Sequence, residues 1–161
     1  MTYVRRKAAK LRIKAHVLVI EARFYDELSD ELAQGAIQVL EAAGASFERL
    51  VVPGALEVPG VIAKAARTRR YDGYVALGAV VRGETSHYDI VANESARGLM
   101  DLTVQGLSIG NGILTCENME QARARAQVSE MNKGGAAAEA ALRLIEIERT
   151  MKASGKKGRL G

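Results

Sequence analysis

Short apolar runs alternate with helix-patterned stretches along almost the whole chain, and this alternation constrains the fold more than any other feature. The run HVLVIEARF (16–24) is short, β-branched and continuous, as a buried strand must be. In DELSDELAQGAIQVLEAAG (26–44), Leu28, Leu32, Ala36 and Leu40 fall four apart on one helical face, and Gly44 suits a C-terminal cap. FERLVVPG (47–54) predicts a second strand ending in Pro-Gly, and 57–70 a helix beginning near Pro59. YDGYVALGAVVRG (71–83) predicts a third strand, followed by a helix over 93–106 closed by Gly106. LSIGNGILTCEN (107–118) reads as a fourth strand interrupted by two glycines, and 119–127 and 135–153 read as helices. Strands that alternate with helices favour an α/β fold: a three-layer α/β/α sandwich around a central four-stranded parallel sheet.

In such a sheet, ligands sit beyond the carboxyl ends of the strands. The residues found there are Arg23-Phe24 after the first strand, Pro53 to Glu57 after the second, Arg82 to His87 after the third and Thr115 to Asn118 after the fourth. The third group, RGETSH, is the most polar. Its backbone N–H groups around Gly83, the Thr85 hydroxyl and a helix start soon after suit an anion such as phosphate. The same residues also fit an ordinary strand-to-helix turn with Thr85 or Ser86 as N-cap. No Walker loop is present, because the Gly-Lys-Ser/Thr ending is missing. His87 can shuttle a proton near neutral pH, and Phe24 can stack on a planar ring or serve the core. Glu57 can accept hydrogen bonds from hydroxyls or amines, or simply favour a helix start. Arg125 and Lys133 can balance a phosphate, or be ordinary surface cations.

Composition narrows the function classes. At 161 residues the chain suits one domain, placed at 14–153 between a basic N-terminal tail (1–13) and a basic C-terminal tail (154–161). The formal charge of +4 misleads. Ten of the 23 basic residues lie in 1–14 and 152–161, where no acid occurs, so the body between is acidic. With no basic–aromatic pattern in that body, no nucleic-acid partner is expected. No apolar run approaches membrane-spanning length, so no membrane partner is expected either. Cys116 is the single cysteine, which excludes an intrachain disulfide. Together with a basic start that lacks a secretory apolar stretch, it makes a cytoplasmic location the expectation. No Cys/His spacing suits a zinc site.

Taken in order, EARFYDEL, VPGALEVPG, LGAVVRGETSHYDIVANES, GNGILTCENMEQARARA and NKGGAAAEAAL resemble the lumazine synthase family over roughly residues 16–150. The stretch from Leu77 to Val91 is the most specific, and IGNGILT is similar to the rhizobial members. The resemblance implies a flavodoxin-like sandwich, riboflavin biosynthesis and a defined reaction. 5-Amino-6-(D-ribitylamino)uracil would condense with 3,4-dihydroxy-2-butanone 4-phosphate to give 6,7-dimethyl-8-ribityllumazine, phosphate and water, with no cofactor and no metal. By resemblance, Phe24 stacks on the pyrimidine. Ala55, Leu56 and Glu57 hold the ribityl chain, and Ala79, Val80 and Val81 read the uracil edge. Glu84 and Thr85 bind the phosphate of the butanone, Arg125 balances its charge, Lys133 lies near it, and His87 moves protons. Many family members carry Phe where Leu56 stands and an aromatic where Asn111 stands, so the wall that Asn111 would supply to a neighbour's pyrimidine is polar here.

The resemblance also implies a homopentamer with active sites between neighbouring subunits. In the helix over 135–151, Ala137, Ala141, Leu144 and Ile145 are expected to face the chain's own sheet, with Ala138, Leu142 and Ile147 left for a partner. Gln127 and Met131 replace the glycine-rich turn of shell-forming relatives, which favours a free pentamer over a sixty-subunit shell. The alternatives to an enzyme are a non-catalytic flavin- or lumazine-binding paralogue and a structural shell protein.

Overall fold

The computed structural model describes residues 11–158, and side chains up to 155. Most of the expected N-terminal tail (1–13) lies outside these residues, whereas 154–158 of the expected C-terminal tail continue the last helix. Four parallel strands, β1 (His16–Ala22), β2 (Ser46–Val52), β3 (Gly73–Val81) and β4 (Ile109–Cys116), form one sheet in the order β2-β1-β3-β4. Five helices cover it: α1 (Asp26–Ala43), α2 (Val58–Arg67), α3 (His87–Val104), α4 (Met119–Ala126) and α5 (Lys133–Gly158). A 3-10 turn (Ala55–Glu57) leads into α2.

The strand pleat sorts the core into two halves. Val17 and Val19 of β1, with Val75 and Leu77 of β3, pack against α1, α4 and α5. Leu18, Ile20 and Ala22, with Tyr74 and Ala76, face the other way and pack against α2 and α3. Apolar side chains on both faces account for the continuous rather than alternating strand runs. The expected α1 stripe of Leu28, Leu32, Ala36 and Leu40 is buried. Gly44 ends that helix in the left-handed region at φ 77°, with its N–H on the Leu40 and Glu41 carbonyls.

Three details depart from the sequence expectations. First, α3 begins at His87 rather than at 93, because the His87 N–H bonds the Thr85 hydroxyl at 3.3 Å and the helix starts from Ser86. Second, the two glycines do not interrupt β4. A Cβ on Gly110 would stand 1.8 Å from the Ala137 carbonyl oxygen, and one on Gly112 would press on Leu77 and Ala137, so these glycines let α5 lie close on the strand. Third, that close approach turns more of α5 inward. Ala138 and Leu142 are buried in the chain's own core beside Ala137, Ala141 and Ile145. Leu144 is half-buried and Ile147 is exposed.

The topology sets the place for a site. The β1–β2 crossover puts α1 on one face, and the β3–β4 crossover puts α3 on the other. The chain reverses its winding between β1 and β3, and a crevice opens at their carboxyl ends.

Candidate functional site

A groove of about 490 Å³ lies in that crevice. β1 runs out into Phe24 and Tyr25, whose rings meet edge-on at 4.9 Å. Phe24 is 73 % exposed, so its ring is offered to the groove and not to the core. β2 delivers Pro53 and Gly54, and the 3-10 turn adds Ala55, Leu56 and Glu57. Leu56 and Glu57 are exposed, while Ala55 is buried. The end of β3 supplies Ala79, Val80 and Val81 as an apolar floor. Gly83 and Thr85 follow, and the first turns of α3 close the groove with His87, Tyr88 and Val91.

Of the expected site residues, nine share this groove: Phe24, Ala55, Leu56, Glu57, Ala79, Val80, Val81, Thr85 and His87. Glu84 sits in the same loop, exposed, without lining the groove itself. The His87 ring is exposed at the first residue of an 18-residue helix and makes no side-chain hydrogen bond among the described residues. The other histidine plays no part here. At the amino end of the sheet, His16 Nδ1 pairs with Ser46 Oγ at 2.7 Å and Nε2 with Glu48 Oε2 at 2.9 Å.

Arg82 braces the loop behind the groove. Its Nε donates to Glu117 Oε2 at 2.8 Å, its Nη2 reaches Asp89 at 3.5 Å, and its guanidinium lies 4.2 Å from the Tyr88 ring centre. Sequence reasoning did not single out Tyr25, Tyr88 or Val91. Starting α3 at His87 would have found the last two, since positions 87, 88 and 91 share one face of a helix.

The remaining three expected residues lie elsewhere. Asn111, Arg125 and Lys133 line a second groove of about 340 Å³ along the free edge of β4. Asn111 is exposed, and its Oδ1 accepts the Ile113 N–H at 3.0 Å, an edge donor that no strand takes. Arg125 projects from α4, its Nη1 on the Gln121 carbonyl at 3.1 Å. Lys133 is the first residue of α5 and is exposed. Neither cation contacts a carboxylate among the described residues. Together with the amino end of a long helix, they make this groove attractive to an anion. Cys116 lies nearby but is buried. Desolvation pushes its thiol pKa up, only partly offset by Arg125, which disfavours the reactive thiolate.

One chain therefore carries two separate grooves. The first has an exposed aromatic ring, a carboxylate, a hydroxyl-bearing loop and an imidazole. The second has two cations and an amide, and it does not open into the first groove.

The sequence model of one protein family, described as 6,7-dimethyl-8-ribityllumazine synthase, matches residues 14–149. Among similar proteins, a 6,7-dimethyl-8-ribityllumazine synthase of Bartonella bacilliformis is 58 % identical over 143 residues, covering 87 % of this chain and 94 % of that protein. One of Methylorubrum populi is 61 % identical, covering 83 % of this chain and 82 % of that protein. A 6,7-dimethyl-8-ribityllumazine synthase 1 of Rhizobium meliloti is 56 % identical, covering 84 % and 93 %.

Proposed function

The chain belongs to the 6,7-dimethyl-8-ribityllumazine synthase family, and from that premise we propose that it condenses 5-amino-6-(D-ribitylamino)uracil with 3,4-dihydroxy-2-butanone 4-phosphate. The observation that carries this reading is the convergence of nine expected residues on one groove at the switch point of the sheet. The readings as a binding paralogue or a shell protein are not favoured, because His87, Arg125 and Glu57 are all present.

The residues divide the work by chemistry. Phe24 stacks on the flat pyrimidine, and the floor of Ala79, Val80 and Val81 meets its edge. Glu57 accepts hydrogen bonds from ribityl hydroxyls, with Ala55 and Leu56 along the chain. The loop at Glu84 and Thr85 holds the phosphate, Thr85 by its hydroxyl and Glu84 by its backbone N–H. The amine attacks the ketone, and loss of water leaves an imine. Phosphate departs, the second nitrogen closes the ring, and water is lost again. The His87 ring, without a hydrogen bond among the described residues, takes and returns the protons. Holding the two reactants together supplies much of the acceleration.

The phosphate needs more positive charge than the first groove offers. Arg125 and Lys133 carry it, but in the other groove. A neighbouring copy that presents its second groove to the first would complete the site and place its Asn111 over the pyrimidine. This arrangement supports a homopentamer with sites between subunits. Exposed Ile90, Met100 and Val104 on one face of α3, and Ile147 and Met151 on α5, fit burial in such a ring.

The test is direct. Purified protein given both substrates should generate the lumazine chromophore without added metal, and a chelator should not stop it. The described residues hold no group of three or more His, Cys, Asp or Glu side chains suited to a metal. Product formation no faster than the uncatalysed background would remove the enzyme reading.

A further inference from the structure

The turn that presents Phe24 is held from both sides by a single arginine. Three residues join β1 to α1, and Phe24 is the middle one. Arg23, immediately before it, is only 20 % exposed at its side chain. Its Nη1 donates to Glu21 Oε1 on β1 at 3.0 Å, its Nε to Asp26 Oδ1 on α1 at 3.3 Å, and its Nη2 to Asp30 one turn further on. The backbone is tied as well. The Arg23 N–H reaches the Val52 carbonyl at 3.3 Å, and the Ser29 N–H reaches the Tyr25 carbonyl at 2.9 Å.

Glu21 gives the clue to purpose. Its side chain is 1 % exposed, on the β1 face where Val17 and Val19 are purely aliphatic core. An aliphatic residue there would continue the pattern without the cost of desolvating a carboxylate. Instead the carboxylate takes Arg23 on one side and a bidentate Arg49 from β2 on the other, at 2.7 and 2.9 Å. The buried carboxylate thus serves two arginines, and one of them, Arg23, stands beside Phe24.

We propose that Arg23, fixed by Glu21, Asp26 and Asp30, is a positioning residue that holds the Phe24 ring ready to stack on the aromatic substrate. The inference rests on the proposed function for Phe24's role. A ring on a loose turn must lose conformational freedom when it stacks, which weakens binding; a clamped turn has lost that freedom already. The clamp acts on the pyrimidine alone, since the phosphate loop belongs to β3 and α3.

The experiment combines kinetics with fluorine spectroscopy on the intact protein. The chain has two phenylalanines, so 4-fluorophenylalanine labelling gives one signal for Phe24 and one for half-buried Phe47. In Arg23→Met, the Phe24 signal should move and sharpen while that of Phe47 stays. The KM for the pyrimidine should rise about fivefold or more, with kcat and the KM for the butanone phosphate within about twofold of the parent. Arg23→Lys should fall between the two. Should Arg23→Met not fold, Asp30→Asn, at a side chain 72 % exposed, should show a smaller change in the same direction. An unmoved Phe24 signal, or equal changes in both KM values, overturns the proposal. A residue that served stability alone would lower the melting temperature and leave the ratio of the KM values unchanged. If the parent makes no lumazine, the proposed function fails, and the fluorine signals still decide the clamp.

Discussion

His87 and Arg125 line two different grooves of the same chain, His87 at the crevice between β1 and β3 and Arg125 at the outer edge of β4. A reaction that releases phosphate has use for both, a proton carrier and a fixed positive charge. The separation follows from topology. β4 is the edge strand, and α4 and α5 carry their cations to its open side, away from the switch point.

Replacing His87 by Ala should lower turnover towards the bottom of the ~10²–10⁴ range expected for a positioned proton carrier. Folding should survive, because the bond that starts α3 uses the backbone N–H of residue 87 and not its ring. Steady-state kinetics and a melting curve check both halves. Unchanged turnover would show that His87 carries no protons in the rate-limiting step.

Asn111→Phe should tighten binding of the pyrimidine by about 0.5–1.5 kcal/mol, the worth of an added aromatic pair. The side chain is exposed and gives up one hydrogen bond, to the Ile113 N–H, so the fold should tolerate the change. The gain should appear in the KM for the pyrimidine. An effect confined to the butanone phosphate would show that residue 111 faces the wrong substrate.

Gly110→Ala should destabilise the protein by about 1–3 kcal/mol or more, since its methyl group would meet the Ala137 carbonyl and force α5 off the sheet. Gly60→Ala is the matched control. It lies in α2 with nothing within 4 Å of the new methyl group, and should stabilise by about 0.5–1 kcal/mol. Thermal melts at one fixed protein concentration should move in opposite directions. A common direction would contradict the packing account.

Light scattering at low salt should report a particle of about five times the 17.3 kDa chain. The turn over 127–132 is closed by its own backbone, with the Asn132 N–H on the Gln127 carbonyl, and is tied to α1 through Glu31 and the Val128 N–H. A dominant megadalton shell or a stable active monomer would contradict a free pentamer.

Much of the fold was legible because short β-branched runs bounded by turn residues alternate with a helical stripe spaced four residues apart. Leu28, Leu32, Ala36 and Leu40 pointed inward as their spacing required. The start of α3 was less legible, since Ser86, His87 and Asp89 look like loop residues until the Thr85 hydroxyl is seen on the His87 N–H. The inner face of α5 was misread at Ala138 and Leu142 because the closeness of a helix to a strand depends on Gly110 and Gly112 in the preceding strand β4. The strand ends pointed to Phe24, Ala55 to Glu57, Thr85 and His87 of the first groove, but not to Tyr25, Tyr88 or Val91. The separation of Asn111, Arg125 and Lys133 could not, because it depends on which strand becomes the edge of the sheet.

Mixing two inactive variants tests the divided site most directly. His87→Ala damages the first groove and Arg125→Ala the second, and each alone should be nearly inactive. Unfolded together in equal amounts and refolded, they should form mixed rings in which about a quarter of the interfaces join two intact grooves, with activity recovered in that proportion. Activity that stays at the level of the separate variants, in rings shown to be mixed, would mean that no site is shared between chains.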